Sequence, residues 1–198
     1  MGTTFFFGLF PLTALADISE CATIEADLDR LACYDKISGR TPTTEVVAAP
    51  GDWSIEVKKS DFEDTTDVFM RVASQKPVSC GHFKGPQNIT LLLRCKENTT
   101  SIFIATHCHL TSGHGGYGNV DIRLDDQKSF VSRMDDSTDN SALGLWSGSR
   151  SIPLIKQMLG KERMLVRFTP FSESPVTAEF NISGLDEAIK PLREACKW

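Results

Sequence analysis

With 198 residues, 40% of them hydrophobic and 24% charged, and with 12 Phe, the chain holds enough apolar material for one ordinary core and a small appendage. A formal net charge of −5 excludes a broadly basic nucleic-acid face, and no apolar run reaches the roughly 18 residues of a membrane span. The six Cys, an even number, point towards an oxidising compartment.

Met1–Ala16 carries no charged side chain. Its apolar stretch from Phe5 to Leu15 has the length of a secretory h-region, and it ends in Ala14-Leu15-Ala16, whose small side chains suit signal peptidase. The reading is a signal peptide over 1–16, cut after Ala16, with a buried N-terminal strand as the alternative. Glu20 argues against a lipoprotein anchor at Cys21.

From Asp17 to Gly39 the residues Ile18, Cys21, Ile24, Leu28, Leu31 and Ala32 recur at helical spacing, and Gly39 and Pro42 end the run. Residues 17–40 are expected to form a helical unit. The stretch Thr41–Gly51 is small, bracketed by prolines and charged only at Glu45, which predicts a semi-extended linker over 41–52. An edge strand through Val46-Val47 is the alternative.

At Trp53 the texture changes to short alternating or β-branched runs between turn residues. The predicted strands are Trp53–Lys58, Val68–Ala73, Ile89–Cys95, Ser101–Leu110, Asn119–Leu124, Ser129–Met134 and Leu143–Trp146. A hairpin is expected about Lys96-Glu97-Asn98. An amphipathic helix follows over Ser151–Leu159, begun by Ser151 and Pro153 and stopped by Gly160. Strands Arg163–Phe168 and Val176–Ile182 come next, then a helix Leu185–Ala195 with Leu185, Ile189 and Leu192 on one face. The fold class is α+β: a β-rich, sandwich-like antiparallel body over 53–198 with two helices, preceded by a small disulfide-linked helical hairpin.

Six Cys allow fifteen pairings. On one continuous helix Cys21 and Cys33 would stand about 18 Å apart, against roughly 5.5 Å between bridged Cα atoms, so pairing them requires a break near Glu25–Asp27. A Cys95–Cys196 bridge would pin the last helix to the sheet. With the hairpin turning at Asn98, Cys80 lies a loop's reach from Cys108. These three pairings are the ones favoured, while the connectivity of the four body cysteines stays open. Reduced thiols in a cytosolic protein are the alternative.

His107-Cys108-His109 places two imidazoles on one side of a strand, with His114 in the loop that follows and His82 upstream. Such density suits zinc or copper in principle, but no carboxylate or thiolate stands at a ligand spacing, so exposed strand-end and loop histidines are the preferred reading. The Gly-rich stretch Gly113–Gly118 lacks a phosphate-cradle Lys-Ser/Thr and reads as a mobile hairpin loop and a contact surface, with His114 and Tyr117 as its candidate contacts. Asp125-Asp126 and Asp135-Asp136 read as solvated turn carboxylates rather than an acid–base pair. No catalytic residue, metal site or cofactor is assigned.

Two segments are distinctive: Cys21…Arg30-Leu31-Ala32-Cys33-Tyr34-Asp35, and Phe180-x-x-x-Gly184-Leu185…Pro191-Leu192-Arg193-x-x-Cys196-x-Trp198. Between them stand Trp53, Leu93-Arg94-Cys95 with Asn98-x-Thr100, and Arg167-x-Thr169-Pro170-Phe171. Together these resemble the type VI secretion-associated VasI/EvfG-type family of proteobacteria, over nearly the whole mature chain. The resemblance implies a periplasmic or envelope protein encoded with contractile secretion machinery, without catalytic residues to carry over. Cys80, Cys108, the His-Cys-His stretch and Asp135-Asp136 depart from that pattern, which leaves open a divergent, prophage-borne relative.

In that setting Arg94 and Cys95, with Cys196 and Trp198, form a terminal latch in which an aromatic ring covers a disulfide. Leu31 and Tyr34 pack inside the hairpin or offer a partner an apolar edge. The function expected is that of an exported, periplasmic accessory protein of type VI secretion, not an enzyme. It would act by contact with a protein partner in the envelope through Leu31, Tyr34, His114, Tyr117 or Trp198. The alternatives are a periplasmic binding or inhibitor module for a peptidoglycan enzyme or effector, and a hydrolase or metalloenzyme using His107, His109 and His114.

Overall fold

The structure is a computed structural model that describes residues 18–38, 45–47, 50–60, 64–80 and 85–198. The expected signal segment over 1–16 and His82 lie outside these residues. The chain divides into two compact units, Met1–Pro42 and Thr43–Trp198.

In the first unit, α1 (Ile18–Ala22) and α2 (Asp27–Ile37) are separate helices. The break between them lets Cys21 and Cys33 approach to a Cα separation of 5.5 Å and bond, which one continuous helix would forbid. Thr23 and Ile24 donate their N–H groups to the Glu20 and Cys21 carbonyls, and the Arg30 guanidinium donates to the Ile24 carbonyl at 2.9 Å. Cys21 is fully buried, so in a segment this small the bridge takes the place of a core.

The second unit begins with β1 (Glu45–Val47), β2 (Ser54–Lys59), β3 (Thr66–Ala73), β4 (Thr90–Lys96) and β5 (Thr99–Ala105). Strands β6 (Asn119–Leu124), β7 (Phe130–Arg133), β8 (Asp135–Asp136) and β9 (Ala142–Leu145) follow, then helix α3 (Gly148–Met158). The chain ends with β10 (Arg163–Phe168), β11 (Val176–Asn181), α4 (Leu185–Ala188) and α5 (Lys190–Cys196). Seven strands form one antiparallel sheet in the order β1-β2-β3-β4-β5-β9-β8, and four form a second in the order β11-β10-β6-β7.

Period-two alternation sets the faces. On β4, Leu91, Leu93 and Cys95 are fully buried while Leu92 and Arg94 are half-buried. The inward set joins Val68, Met70, Ile102 and Ile104 with Ile122 and Val166 of the second sheet, and with Leu154, Ile155 and Leu192 from the helices, in one core. Helix α3 packs on β5 and β9, and α5 on β3 and β4.

The differences from expectation have local causes. Glu45–Val47 forms the edge strand β1, paired with Val57, Glu56 and Ile55 of β2, so this part of the expected linker takes the alternative reading. The hairpin stands where expected, closing at Glu97-Asn98 with φ of 50° and 57°, the left-handed pair of a type I′ turn. Strand β5 ends at Ala105 rather than Leu110, because the following residues leave the ladder for the Cys108 bridge. Helix α3 starts three residues before Ser151, whose buried hydroxyl sits 2.7 Å from the Leu145 carbonyl and 2.8 Å from that of Ser147. The last helix divides at Ile189: Pro191 has no N–H to continue the ladder and opens α5 instead.

Candidate functional site

Beyond Ala105 an irregular path replaces strand alternation. The Thr106 N–H donates to the Ser141 carbonyl at 2.8 Å, the Cys108 N–H to Thr106 Oγ1 at 3.0 Å, and the Leu110 N–H to the Asn140 carbonyl at 2.8 Å. His107 therefore does not share a strand face with His109. It turns to the Cys80–Cys108 bridge, with Nε2 3.3 Å from Cys80 Sγ, and its Nδ1 is buried without a hydrogen-bond partner. Donor atoms of Cys80, His107 and Cys108 lie within 4.8 Å of one another. The two sulfurs are spent on each other, however, and without a thiolate a single imidazole is no donor set for zinc or copper.

The acidic pairs are structural. Asp125 accepts the N–H groups of Glu162 and Arg163, both at 3.0 Å, which holds its carboxyl below the ordinary range, the Arg163 bond contributing most. Asp126 pairs with Arg163 at 3.1 Å and Asp135 with Arg150. Asp136 accepts from the Ser112 hydroxyl and, at 3.0 Å, from the Asn140 amide. These acids anchor turns and strand ends.

The Gly113–Gly118 stretch is not the connection of a hairpin. It carries the chain from the seven-stranded sheet, where β5 pairs with β4 and β9, to the second sheet, where β6 pairs with β7 and β10. The Tyr117 N–H donates to the His114 carbonyl at 2.9 Å, and Gly118 takes φ of +81° where a Cβ would lie 2.5 Å from the Met134 carbonyl oxygen. This turn meets the β10–β11 connection. The Phe171 N–H donates to the His109 carbonyl at 2.9 Å and the Ser172 N–H to Tyr117 Oη at 3.2 Å.

Four rings converge there. The Phe171 centroid lies 5.7 Å from that of Tyr117 and 5.6 Å from that of His109, edge-on in the second case. His114 stands edge-on to Tyr117 at 5.5 Å. Phe171 remains 43% exposed, so the patch presents aromatic area on hydrogen-bonded backbone, the make-up of an interface anchor. Sequence reasoning named His114 and Tyr117 but missed His109 and Phe171 as neighbours. The signal available was an aromatic residue directly after Pro170, at the tip of a strand connection.

A protein-family model described as type VI secretion system VasI, EvfG, VC_A0118 matches residues 20–198. The chain belongs to the VasI family. A search of the curated proteins finds no match. Among solved structures, the chain is similar to invasion associated protein b from Bartonella henselae at 12% identity and a TM-score of 0.44, over 78% of this chain and 99% of that one.

In this VasI-family chain the three bridges are Cys21–Cys33, Cys80–Cys108 and Cys95–Cys196, the pairings that spacing favoured. Trp198 is engaged in the fold: its indole N–H donates to Thr100 Oγ1 at 2.8 Å and the Arg193 guanidinium lies over its ring at 5.2 Å. In the helical unit Leu31 is 56% exposed and Tyr34 half-buried. Among the described residues no helix is long and apolar enough to cross a membrane.

Proposed function

We propose that this VasI-family protein is a periplasmic accessory protein of type VI secretion that works through protein–protein contact rather than catalysis. The observation that carries the reading is the ring cluster of Tyr117, Phe171, His109 and His114, exposed yet held by backbone hydrogen bonds between two connections. Support comes from the family match, and from three disulfides with no free cysteine, which fit an oxidising compartment. Among the described residues, the histidines and acids singled out by sequence are engaged in packing, turns and ion pairs, which favours contact over chemistry for this surface.

In this proposal the chain is a signal peptide over 1–16, a helical hairpin over 17–40, a linking segment over 41–52 whose residues 45–47 add strand β1 to the sheet, and a body over 53–198. Leu31 and Tyr34 of the hairpin add a second contact point.

The test is site-directed photo-crosslinking in cells whose secretion apparatus is assembled, with the probe at position 114. The expected result is a crosslink to a component of the secretion machinery, lost in the Tyr117→Ala/Phe171→Ala double variant while its melting temperature stays within a few degrees of the parent. A protein that remains monomeric and uncrosslinked beside the assembled apparatus overturns the proposal.

A further inference from the structure

The outer face of the seven-stranded sheet carries a groove separate from the ring cluster. The pairing register lines up Arg71, Leu92, Phe103 and Gly144 across four strands, with Phe69, Arg94 and Ser101 in the adjacent row. The Phe103 ring sits between the Arg94 guanidinium, 5.3 Å from its centroid, and the Trp146 indole, 5.0 Å away and tilted by 34°. A Cβ at residue 144 would lie 2.5 Å from that of Phe103 and 3.0 Å from Trp146 Cζ2, so only glycine lets the two rings pack over this strand. The indole N–H is tied to the Asp135 carbonyl at 3.0 Å. These side chains floor a groove of about 430 Å³, walled by the turn that carries Asp136, Ser137, Asp139 and Ser141.

The groove holds both signs of charge. Arg94 is half-buried and spends one donor, Nε, on Ser101 Oγ at 3.2 Å, while neither terminal nitrogen has a hydrogen-bond partner among the described residues. Its acidic neighbours are Asp67 and Glu97, and Asp67 already accepts the Glu97 N–H at 3.1 Å. Burial lowers the pKa of the guanidinium from its ordinary value against the opposing pull of these two acids. On the wall, the Asp139 carboxylate is oriented by the Ser137 hydroxyl and by the N–H and hydroxyl of Ser141, bonds that also keep it ionised below the ordinary range. Asp136 is held in the same way by Ser112 and Asn140.

The geometry points to a binding site for a small zwitterion of the amino-acid class. Its carboxylate pairs with the two terminal nitrogens of Arg94, its apolar body lies on Phe103 and Trp146, and its ammonium group meets the Asp139 carboxylate. A planar guanidinium with two parallel donors matches a carboxylate in bidentate fashion. A neutral sugar would use the aromatic floor but leave the guanidinium unmet, and a simple anion would face two fixed carboxylates. A ligand bearing both charges satisfies every part. This site is independent of the partner surface proposed above.

The test is a titration of the disulfide-intact protein followed by NMR of the backbone amides and the Trp146 indole N–H. The probes are leucine, phenylalanine and glycyl-leucine, beside leucinamide, N-acetyl-leucine and N-acetylglucosamine. Saturable shifts confined to the groove are expected with the zwitterions, and removing either charge is expected to weaken binding about tenfold, a loss typical of a charge-assisted pair. Arg94→Gln is expected to lower affinity by about tenfold or more, and the exposed Asp139→Asn severalfold with its melting temperature unchanged. Equal binding of the charge-blocked probes, preference for the sugar, or no groove shift with any zwitterion at millimolar concentration overturns the assignment.

Discussion

Single residues show most directly how the sequence constrains this structure. Gly144 stands on a strand buried along its whole length, with the Phe103 and Trp146 side chains where its own Cβ would be. Gly144→Ala is expected to cost about 1–3 kcal/mol by overpacking, read from chemical denaturation, and to move the Trp146 fluorescence maximum as the indole is displaced. At Asp125 the two backbone donors depress the folded-state pKa below the ordinary value of 3.8. The stabilisation it provides is therefore complete above that value and is lost as pH falls through the lower folded-state pKa. Asp125→Asn is expected to flatten the acid limb of stability against pH, while the parent loses stability progressively as the medium is made more acidic than about pH 4. Adjacent aspartates were legible as turn residues because short carboxylates bond to nearby backbone N–H groups. The Asp125 donors lie nearly forty positions away, which local sequence does not disclose.

The elements are held by bridges of unequal weight. Chain-entropy arguments assign about 4.7 kcal/mol to a loop of roughly a hundred residues, and smaller amounts to shorter loops. Cys95–Cys196 spans 101 residues, against 28 for Cys80–Cys108 and 12 for Cys21–Cys33. A Cys95→Ala/Cys196→Ala variant is thus expected to lose about 4–5 kcal/mol of unfolding free energy and to release α5 first, seen as early hydrogen exchange at Leu192. Trp198→Ala removes the indole bond to Thr100 and half-buried ring packing, for an expected loss of about 1–3 kcal/mol by the same measurement. Most strands were readable from alternation, and Arg163–Phe168 falls where the pattern placed it. Residues 106–110 read as strand because their composition suits one. Tertiary bonds to Ser141 and Asn140, together with the Cys108 bridge, draw them out of the ladder.

At the scale of the whole molecule, three bridges consume all six cysteines. Under the proposed export, protein purified from the periplasm without reductant is expected to weigh six hydrogens less than its reduced form, to begin at Asp17 and to resist alkylation. Alkylation of the native protein would undo the placement in an oxidising compartment. The ring cluster and the outer-face groove belong to this scale too, because each is assembled from segments far apart in the chain.

Sequence alone determined the architecture, an antiparallel β-rich body preceded by a short helical pair, and the family, and it favoured the three cysteine pairings while leaving those of the four body cysteines open. The architecture and the family rest on side-chain periodicity and on distinctive terminal motifs, which are local or nearly so. Tertiary structure decided which sheet each strand joined, and with it the course of the Gly113–Gly118 stretch from one sheet to the other. It also decided that His107 faces a sulfur while His109 and His114 join an aromatic patch. The physical reason is that strand pairing and ring contacts depend on partners fixed by packing across the whole chain, and no periodicity within one segment specifies which partner that will be.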